Sequence, residues 1–352
     1  MNIAVIDSDL IGRKRHNFPN LVCMKLSGYH KSLGDDVVLK TDYDGLSDYD
    51  KVYIAKVFTD TPMNTDVLAL PNVEYGGTGF FYDHAPNLPD EIEHFMPDYH
   101  LYDGYIFGGG KPNKSYTDYS IGYLTRGCFR KCSFCVNKKY DRAFCHSPLN
   151  EFLDKSRKKI CLLDDNFLSH PGWRGMLEEL IATGKRFTFK QGLDERLLTE
   201  EKCGLLFSGH YDGVHTFAFD DIADAELIES KLQMIRRHTD KEVRFYVLCG
   251  YDRKGKYDRE FWLNDIEGVF KRTALLGKYR AYPYIMRYNA YLTSPVRGMY
   301  TALAAWAAQP GLFRHHSLAE FCSMRVNTAK HFAQFIKEYP EFDRRWFDWR
   351  YK

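Results

Sequence analysis

The chain has 352 residues, of which 44% are hydrophobic and 27% are charged, a balance that builds two or three folded cores and excludes a disordered protein. Its 49 basic and 47 acidic residues leave a net charge of +2, so no overall field favours a polyanionic partner. Residues 1–7 are too short and too soon acidic for a signal peptide, and no run approaches the ~18 apolar residues of a membrane helix. We therefore expect a cytoplasmic protein without membrane segments.

The first part of the chain, residues 1–115, has the pattern of a small parallel α/β domain. Strands are predicted at 3–7, 37–39, 52–57 and 73–75, and a helix at 19–33 that ends at Gly34. The glycine-rich run at 76–79 could bring the backbone close to a phosphate or nucleotide tail, although an ordinary turn explains it equally well. A loop-rich bridging segment follows, and we expect the domain boundary between residues 115 and 116.

Three cysteines then stand within eight residues: Cys128, Cys132 and Cys135, with the spacing C-x₃-C-x₂-C. Iron–sulfur clusters bind soft thiolate ligands. A four-iron cluster held by only three cysteines leaves one iron open to an exogenous ligand, so the motif predicts a reactive [4Fe–4S] cluster. Nine cysteines in all, with no paired framework elsewhere, favour a reducing compartment over disulfides.

A structural zinc site is the alternative interpretation of the same three thiols. It would need Cys145 or His146 as the fourth ligand of a tetrahedron. Zinc sites usually join two short Cys/His pairs across a longer gap, and no second pair of that kind follows. The spacing therefore favours iron over zinc.

The motif, with the aromatic Phe134 directly before its last cysteine, resembles the radical S-adenosylmethionine (SAM) superfamily. The resemblance implies that SAM chelates the open iron and that one electron, from a donor such as flavodoxin or ferredoxin, cleaves the sulfonium. The products would be methionine and a 5′-deoxyadenosyl radical that abstracts hydrogen from the substrate. The cofactors carry this chemistry, while the protein orients and shields them.

Residues 116–290 alternate between predicted strands, at 121–125, 160–164, 186–190, 214–219, 243–249 and 282–286, and helical patterns. Six such repeats predict a partial (β/α)₆ barrel. The superfamily's usual core has the same number of repeats. Side chains at the carboxyl ends of the strands should point into the site.

Polar and aromatic side chains near these strand ends are the candidates for SAM binding. The superfamily often has a Gly-Gly-Glu-like segment for the SAM amino group after the second strand; here three polar residues, 164–166, offer acceptors instead. Helix capping after a βα turn is the alternative role for each polar member. The candidates are Phe134, Asp164, Asp165, Asn166, Gln191, Asp194, Arg196, Asp220 and Tyr251.

Residues 26–39 resemble the Rossmann-like, cobalamin-binding-type domain that precedes many radical SAM cores. Its cobalt-ligand pattern, Asp-x-His-x-x-Gly, is represented here by Asp7-Ser8-Asp9-Leu10-Ile11-Gly12. Asp9 stands in the histidine position, which excludes histidine ligation of cobalt there. Cobalamin is thus a candidate cofactor that the sequence does not favour.

The last part, residues 291–352, is predicted as a helical C-terminal cap. Ser317 and Glu320 form a capping box. The final nine residues mix basic and aromatic side chains, which either dock on the core or bind nucleic acid.

Taken together, these features predict a radical SAM enzyme that abstracts hydrogen from an unidentified substrate, such as a nucleotide, a nucleic acid or a peptide. The first alternative is a cobalamin-dependent radical SAM methyltransferase. The second is a zinc-bearing adaptor that binds nucleic acid through its basic aromatic tail.

Overall fold

A computed structural model describes residues 1–14, 16–104, 106–107, 111–112 and 118–351. The chain divides into two compact units. The first contains Met1–Lys131 and Cys135–Lys190, and the second contains Cys132–Phe134 and Gln191–Lys352. The expected boundary between residues 115 and 116 lies outside the described residues, and the three-part division at 1–115, 116–290 and 291–352 stays a prediction.

The first unit begins with a four-stranded parallel sheet, as the sequence predicts. Its strands are β1 (Asn2–Asp7), β2 (Asp36–Lys40), β3 (Lys51–Ala55) and β4 (Val73–Gly76), in the order β2-β1-β3-β4. The apolar residues of β1 are fully buried, because a parallel strand between two neighbours is covered on both faces. The helices of this part are α1 (Ser8–Gly12), α2 (Leu21–Ser32), α3 (Thr78–Phe81) and α4 (Asp90–Glu93).

Helix α2 confirms the predicted helix at 19–33. The Asn20 side chain accepts a hydrogen bond from the Val22 N–H at 3.0 Å and caps its start. Gly34 follows its end with φ +84°, the left-handed conformation that glycine adopts without strain.

The rest of the first unit contains a second parallel sheet and two short antiparallel pairs. The strands are β5 (Ile106–Phe107), β6 (Lys111–Pro112), β7 (Tyr119–Gly122), β8 (Thr125–Arg126), β9 (Phe144–Cys145), β10 (Lys159–Leu162) and β11 (Arg186–Phe189). The parallel sheet has the order β11-β10-β7, while β5 pairs with β6 and β8 with β9. Helix α5 (Trp173–Ala182) connects β10 to β11. Strand β7 ends earlier than predicted because the chain after it pairs with β9.

The second unit contains a three-stranded parallel sheet covered by helices. The strands are β12 (Thr216–Ala218), β13 (Val243–Cys249) and β14 (Ala281–Arg287), in the order β12-β13-β14. The helices that alternate with them are α6 (Glu200–Ser208), α7 (Ala225–His238) and α8 (Arg259–Gly277). The mixed α/β class with parallel sheets is therefore confirmed, whereas the closure of six strands into a partial barrel stays a prediction.

The C-terminal part of the second unit is helical, as expected. Its helices are α9 (Arg297–Ala307), α10 (Pro310–His315), α11 (Leu318–Ser323) and α12 (Val326–Glu338). Ser317 and Glu320 form the predicted capping box at the start of α11.

The aromatic tail packs on this helical core. Phe347 is buried, and the Trp349 ring lies 6.2 Å from that of Trp306 and 6.1 Å from that of Phe313. The docking interpretation of the tail is thus correct. Among the described helices, none is both long enough and apolar enough to cross a membrane.

Candidate functional site

In the first unit, the end of strand β10 holds the segment that leads into the cysteine motif. The buried carboxylate of Asp164 accepts hydrogen bonds from the Leu124 N–H at 3.2 Å and from the Thr125 N–H and hydroxyl at 2.6 and 2.7 Å. These three donors fix the backbone that precedes Cys128. Asp164 therefore acts on the cysteine segment itself, a contact that the sequence did not indicate.

Asp165 continues this support one step further along the segment. It accepts hydrogen bonds from the Gly127 N–H at 2.7 Å and from the Asn137 side chain at 2.8 Å. Gly127 has φ +91°, and a Cβ there would lie 2.3 Å from the carbonyl oxygen of Arg142. Only glycine fits this turn without displacing backbone, so the position directly before Cys128 is fixed by geometry.

Two of the three motif sulfurs lie in this unit, and both accept hydrogen bonds. The Cys128 Sγ accepts from the Arg130 N–H and from the Asn166 side chain, each at 3.3 Å. The Cys135 Sγ accepts from the Asn137 N–H at 3.3 Å. Such donors stabilise negative charge on sulfur, and hydrogen bonds to sulfur tune iron–sulfur clusters. The two sulfurs thus have the environment that thiolate ligands of a cluster need.

The described side chains were compared with the ligand groups that bind single metal ions. Within the ranges that the structure describes, no three His, Cys, Asp or Glu side chains are gathered so as to hold a metal ion.

The environment of Asp164 also affects its charge. Burial raises the pKa of Asp164 to about 7, while its hydrogen bonds from Thr125 act in the opposite direction. The three donors that surround the carboxylate favour its ionised form. The contact that supports the cysteine segment is consequently sensitive to pH near neutrality.

In the second unit, Phe134 of the motif contacts another predicted site residue. Its ring meets that of Tyr251 edge to face, with centroids 5.5 Å apart, and Tyr251 in turn meets Tyr288 at 4.7 Å. These two candidates are therefore neighbours, although 117 positions separate them in the sequence. Edge-to-face pairs of this kind are a favoured aromatic arrangement.

Two of the three candidates after β11 are charged, and they pair with each other. The Arg196 Nε lies 2.8 Å from Asp194 and 3.7 Å from Glu195. Arg196 also lies 3.7 Å from Asp224, so its charge is shared among carboxylates. Gln191, in contrast, is exposed.

Glu195 is a feature that the sequence analysis did not select. It is almost fully buried and accepts a hydrogen bond from the Ala218 N–H at 3.1 Å. Burial, and next the charge of Asp194, raise the pKa of Glu195 to about 8. The sequence analysis missed it because Glu195 stands in a polar run, and nothing in the sequence distinguishes its carboxylate from that of Asp194 beside it.

Asp220 and Asp221 follow β12 and have different roles. Asp221 accepts a hydrogen bond from the Ala223 N–H at 3.0 Å and is the cap that the alternative interpretation expected. Asp220 is half-buried, and burial raises its pKa, opposed by the charge of Arg272. Since Asp221 already supplies the cap, capping does not account for Asp220.

Arg272 in α8 is the second residue that sequence reasoning missed. Its Nη1 donates to the carbonyl oxygens of Phe219 and Asp220 and of Leu248, at 3.0, 2.8 and 2.8 Å. It therefore ties the ends of β12 and β13 together. The available signal was an arginine among apolar residues of a buried helix, where an unpaired charge is costly.

Asp9, in helix α1 directly after strand β1, forms hydrogen bonds with the loop that follows β3. Its carboxylate accepts hydrogen bonds from the Val57 N–H at 2.6 Å and from the Thr61 hydroxyl. Asp9 thus serves local structure at the position where the related pattern has a cobalt-binding histidine. The glycine-rich run is likewise explained by packing, because a Cβ on Gly77 would lie 2.2 Å from the Lys56 carbonyl oxygen.

The carboxyl edge of this sheet exposes several large apolar side chains. All of them follow or end the strands β3 and β4, where open α/β sheets bind their ligands. The residues are Val57, Phe58, Tyr75, Phe81 and Tyr82, between 37% and 48% exposed. We refer to these five residues as the apolar edge. The Tyr75 and Phe81 rings stack with an interplanar angle of 6°.

Two solved structures share this fold over most of the chain. One is the radical S-adenosylmethionine methyltransferase TsrM from Kitasatospora setae with cobalamin and a [4Fe–4S] cluster bound. It matches with a TM-score of 0.55 at 13% identity, and the match covers 82% of this chain and 72% of that chain. The chain therefore shares the fold of this methyltransferase structure. The resemblance indicated by the cysteine motif is thereby confirmed at the level of the fold.

The second structure is TsrM from the same organism with tryptophan substrate and the SAM analogue aza-SAM bound. It matches with a TM-score of 0.54 at 13% identity and covers 95% of this chain and 83% of that chain. No protein-family model and no curated protein sequence matches the chain. The similarity to a radical SAM enzyme thus lies in the three-dimensional structure and in the cysteine motif.

Proposed function

We propose that the chain is a radical SAM enzyme in which Cys128, Cys132 and Cys135 ligate a [4Fe–4S] cluster. The cysteine segment carries the proposal, because it combines the superfamily spacing with buried support from Asp164 and Asp165. When bound, the cluster would supply the electron that cleaves SAM at its sulfonium. Hydrogen bonds to the sulfurs of Cys128 and Cys135 support the fit of these residues to a cluster.

We assign the main SAM contacts to residues of the second unit. Asp220 has a half-buried carboxylate that no cap requires, and it would accept hydrogen bonds from ribose hydroxyls. Phe134 and Tyr251 would form an aromatic wall. Asp164, Asp165 and Asn166 would act mainly by holding the cluster segment, whereas Gln191, Asp194 and Arg196 remain polar candidates for SAM or substrate.

The reaction that we favour is cobalamin-dependent methyl transfer to a carbon of the substrate. The match to the methyltransferase TsrM spans nearly the whole chain, and the apolar edge offers the kind of surface that the apolar faces of a corrin ring need. When bound, cobalamin would carry the methyl group. Because Asp9 is tied to Val57, cobalamin would bind without a cobalt ligand from this position.

Hydrogen abstraction without cobalamin is the second candidate function. The specific observation in its favour is Asp9 itself, since the residue that would mark a histidine-ligated cobalt site is absent. In both cases SAM is the partner molecule, the six parallel strands would form the superfamily's partial barrel, and a flavodoxin or ferredoxin of a reducing cytoplasm would supply the electron.

The proposal is tested by anaerobic purification and reconstitution with iron and sulfide, followed by metal analysis. We expect about four irons per chain and consumption of SAM in the presence of dithionite, with the products deciding the reaction. Cobalt in the protein together with S-adenosylhomocysteine would identify the methyltransferase, and 5′-deoxyadenosine without cobalt would identify the hydrogen-abstracting enzyme. An iron-free, zinc-loaded protein that leaves SAM intact would refute the proposal and favour the zinc adaptor.

Single alanine substitutions then test the ligands. Cys128→Ala, Cys132→Ala and Cys135→Ala should each abolish the cluster absorption, because each removes one of only three ligands. Cys145→Ala is the matched control, since Cys145 is an exposed thiol of the same segment that we do not assign to the cluster. Retention of the absorption in all three variants would contradict the assignment.

A further inference from the structure

The segment that carries the cysteine motif concentrates the positive charge of the chain. Residues 126–142 contain six of the 49 basic residues and one of the 47 acidic residues. The rest of the chain therefore has more acidic than basic residues, and the net charge of +2 arises from this one segment. We call residues 126–131 and 135–142, which belong to the first unit and contain all seven charges, the basic loop.

The basic side chains of this loop are accessible to solvent. Three are exposed and three are half-buried, and none is fully buried. The exposed ones are Lys131, Lys139 and Arg142, and the half-buried ones are Arg126, Arg130 and Lys138. Like charges gathered at a surface produce a local field that attracts groups of the opposite sign. The loop therefore presents a positive surface next to the cysteines.

Two exposed lysines are held in place mainly by neutral acceptors. The Lys131 Nζ donates to two backbone carbonyl oxygens of the loop at 2.6 and 2.9 Å. The Lys139 Nζ donates to the carbonyl oxygen of Ala85 at 3.0 Å and to the Asn87 side chain at 2.8 Å. The acidic residue of the loop, Asp141, lies 2.7 Å from Lys131. These contacts fix the ammonium groups while most of the positive charge of the loop is kept.

An exposed aromatic ring lies among these cations. Phe129 directly follows Cys128 in the sequence and is 45% exposed. The guanidinium carbon of Arg130 lies 4.8 Å from the centre of the Phe129 ring. Aromatic and arginine side chains are enriched in the centres of protein interfaces. The pair thus gives the basic loop an apolar point of contact as well as a charge.

We infer that the basic loop is the docking surface of a small acidic electron-carrier protein. The inference rests on the proposed function, because a cluster held by this segment would need one electron from outside the chain. In the transfer the carrier is oxidised by one electron, and that electron reduces the cluster by one. Complementary charges steer such a carrier to the loop and orient it there.

The size and the surroundings of the loop favour this partner. The loop has 14 residues, fewer than the roughly 20–30 residues a side of a standard protein interface, and electron-transfer complexes are among the small ones. A nucleic acid fits less well. Its phosphates would extend beyond the loop onto a chain that has an excess of acidic residues, where like charges repel. A compact acidic protein matches a single positive patch.

The first test measures binding to the reconstituted full-length protein by calorimetry and NMR titration. The probes are a [2Fe–2S] ferredoxin and a flavodoxin, both acidic and both oxidised so that no electron is exchanged, and a basic c-type cytochrome as the control. We expect at least one acidic carrier to bind. Its affinity should fall about tenfold when added salt shortens the Debye length from ~30 to ~8 Å. The cytochrome should not bind.

Charge-reversal variants locate the surface. Lys139→Glu combined with Arg142→Glu should weaken binding of the carrier by at least about tenfold. Arg142→Glu alone changes one exposed side chain, so the fold should tolerate it, and it should act in the same direction. The matched control is Lys155→Glu combined with Lys158→Glu, which changes the net charge equally. Both lysines are exposed and precede the amino end of β10, whereas the cysteine segment follows the carboxyl end of the parallel strand β7.

A second measurement separates docking from damage to the cluster. The rate at which the reduced carrier reduces the cluster is compared with the rate for photoreduced 5-deazariboflavin, a small uncharged reductant that needs no docking surface. Lys139→Glu combined with Arg142→Glu should slow the carrier and leave the small reductant unaffected. Phe129→Ser should weaken binding of the carrier at low and at high salt alike, because it removes an apolar contact.

The outcomes distinguish this inference from the proposed function. If the protein forms the cluster and consumes SAM, yet binds the acidic carriers no better than the cytochrome, the inference is wrong and the proposed function stands. Equal carrier affinity in the loop variant and its control would likewise overturn it. So would a short single-stranded oligonucleotide that binds through the loop when neither carrier does. Carrier binding through the loop of a protein that forms no cluster would contradict the proposed function and leave the docking surface in place.

Discussion

The Asp164 carboxylate accepts hydrogen bonds from both the N–H and the hydroxyl of Thr125, at 2.6 and 2.7 Å. This contact joins the end of one strand to the segment that leads into Cys128. We predict that Asp164→Ala lowers the iron content of the reconstituted protein, because it leaves buried donors at Leu124 and Thr125 without their acceptor. Each such group costs about 1–3 kcal/mol. Iron and sulfide analysis of the purified variant provides the measurement.

Asp141→Ala is the control for this experiment. Asp141 lies in the same segment, but its side chain is 93% exposed and pairs with Lys131 at 2.7 Å, a surface contact of small value. We expect it to bind iron like the unmodified chain. Equal iron content in the two variants would show that Asp164 does not support the cluster segment.

The two aspartates after β12 allow a matched pair of variants. Asp220→Ala should weaken SAM binding by about tenfold, since a hydrogen bond to a charged acceptor is lost, and should alter unfolding less. Asp221→Ala should cost about 1 kcal/mol of stability, because it removes a helix cap, and should leave SAM affinity unchanged. Calorimetry with SAM and urea unfolding measure the two effects. The reverse pattern would exchange the two roles.

Much of the fold could be predicted from the sequence, because strand and helix periods are local signals. All four strands of the N-terminal sheet, helix α2 and its Gly34 end were predicted close to their observed bounds. The cysteine motif was evident because its ligands are adjacent in the chain. The contact of Phe134 with Tyr251 joins residues that are distant in the chain. Only the general rule that strand ends meet at one face of an α/β barrel could suggest it.

The remaining features depend on contacts between distant residues, which no local pattern contains. Asp164 was selected as a polar strand-end residue, yet its three donors come from a segment about 40 positions earlier. Arg272 acts on two loops at once from the middle of a helix. Strand β7 was placed too late because its apolar run continues beyond Gly122, whereas pairing of Thr125 with Cys145 interrupts the strand.

Glu195 should make the stability of the protein depend on pH. The pKa of its carboxyl group is raised from 4.5 to about 8 by burial and by Asp194. Its contribution is therefore fully present below about pH 4.5 and is lost as the pH rises through about 8. Glu195→Gln keeps the acceptor for the Ala218 N–H and removes the titration. When the pH is raised from 5 to 9, we expect the free energy of unfolding of the unmodified chain to fall by on the order of 3 kcal/mol more than that of the variant.

Urea unfolding at both pH values measures this difference. Glu226→Gln serves as the control, because Glu226 is exposed in the first turn of α7. It should leave the pH dependence unchanged. Parallel profiles for Glu195→Gln and the unmodified chain would mean that Glu195 does not titrate as proposed.

Arg272→Met should strongly destabilise the second unit. The substitution leaves three carbonyl oxygens, those of Phe219, Asp220 and Leu248, without their buried donor. We expect a loss of about 3 kcal/mol or more. Arg237→Met, at an exposed arginine of α7, should have little effect. Similar unfolding midpoints for the two variants would contradict an anchoring role for Arg272.

The apolar edge provides the last prediction, which concerns cobalamin. Phe81→Ser and Tyr75→Ser remove apolar surface from the carboxyl edge of the N-terminal sheet and should reduce the cobalt bound per chain, because the faces of a corrin ring need an apolar surface. Leu33→Ser is the control, since Leu33 is also an exposed apolar residue, 62% exposed, but follows α2 at the opposite end of the sheet. Cobalt analysis after incubation with cobalamin compares the three variants. Equal cobalt in all three would exclude the apolar edge as the binding surface and would shift the balance towards hydrogen abstraction without cobalamin.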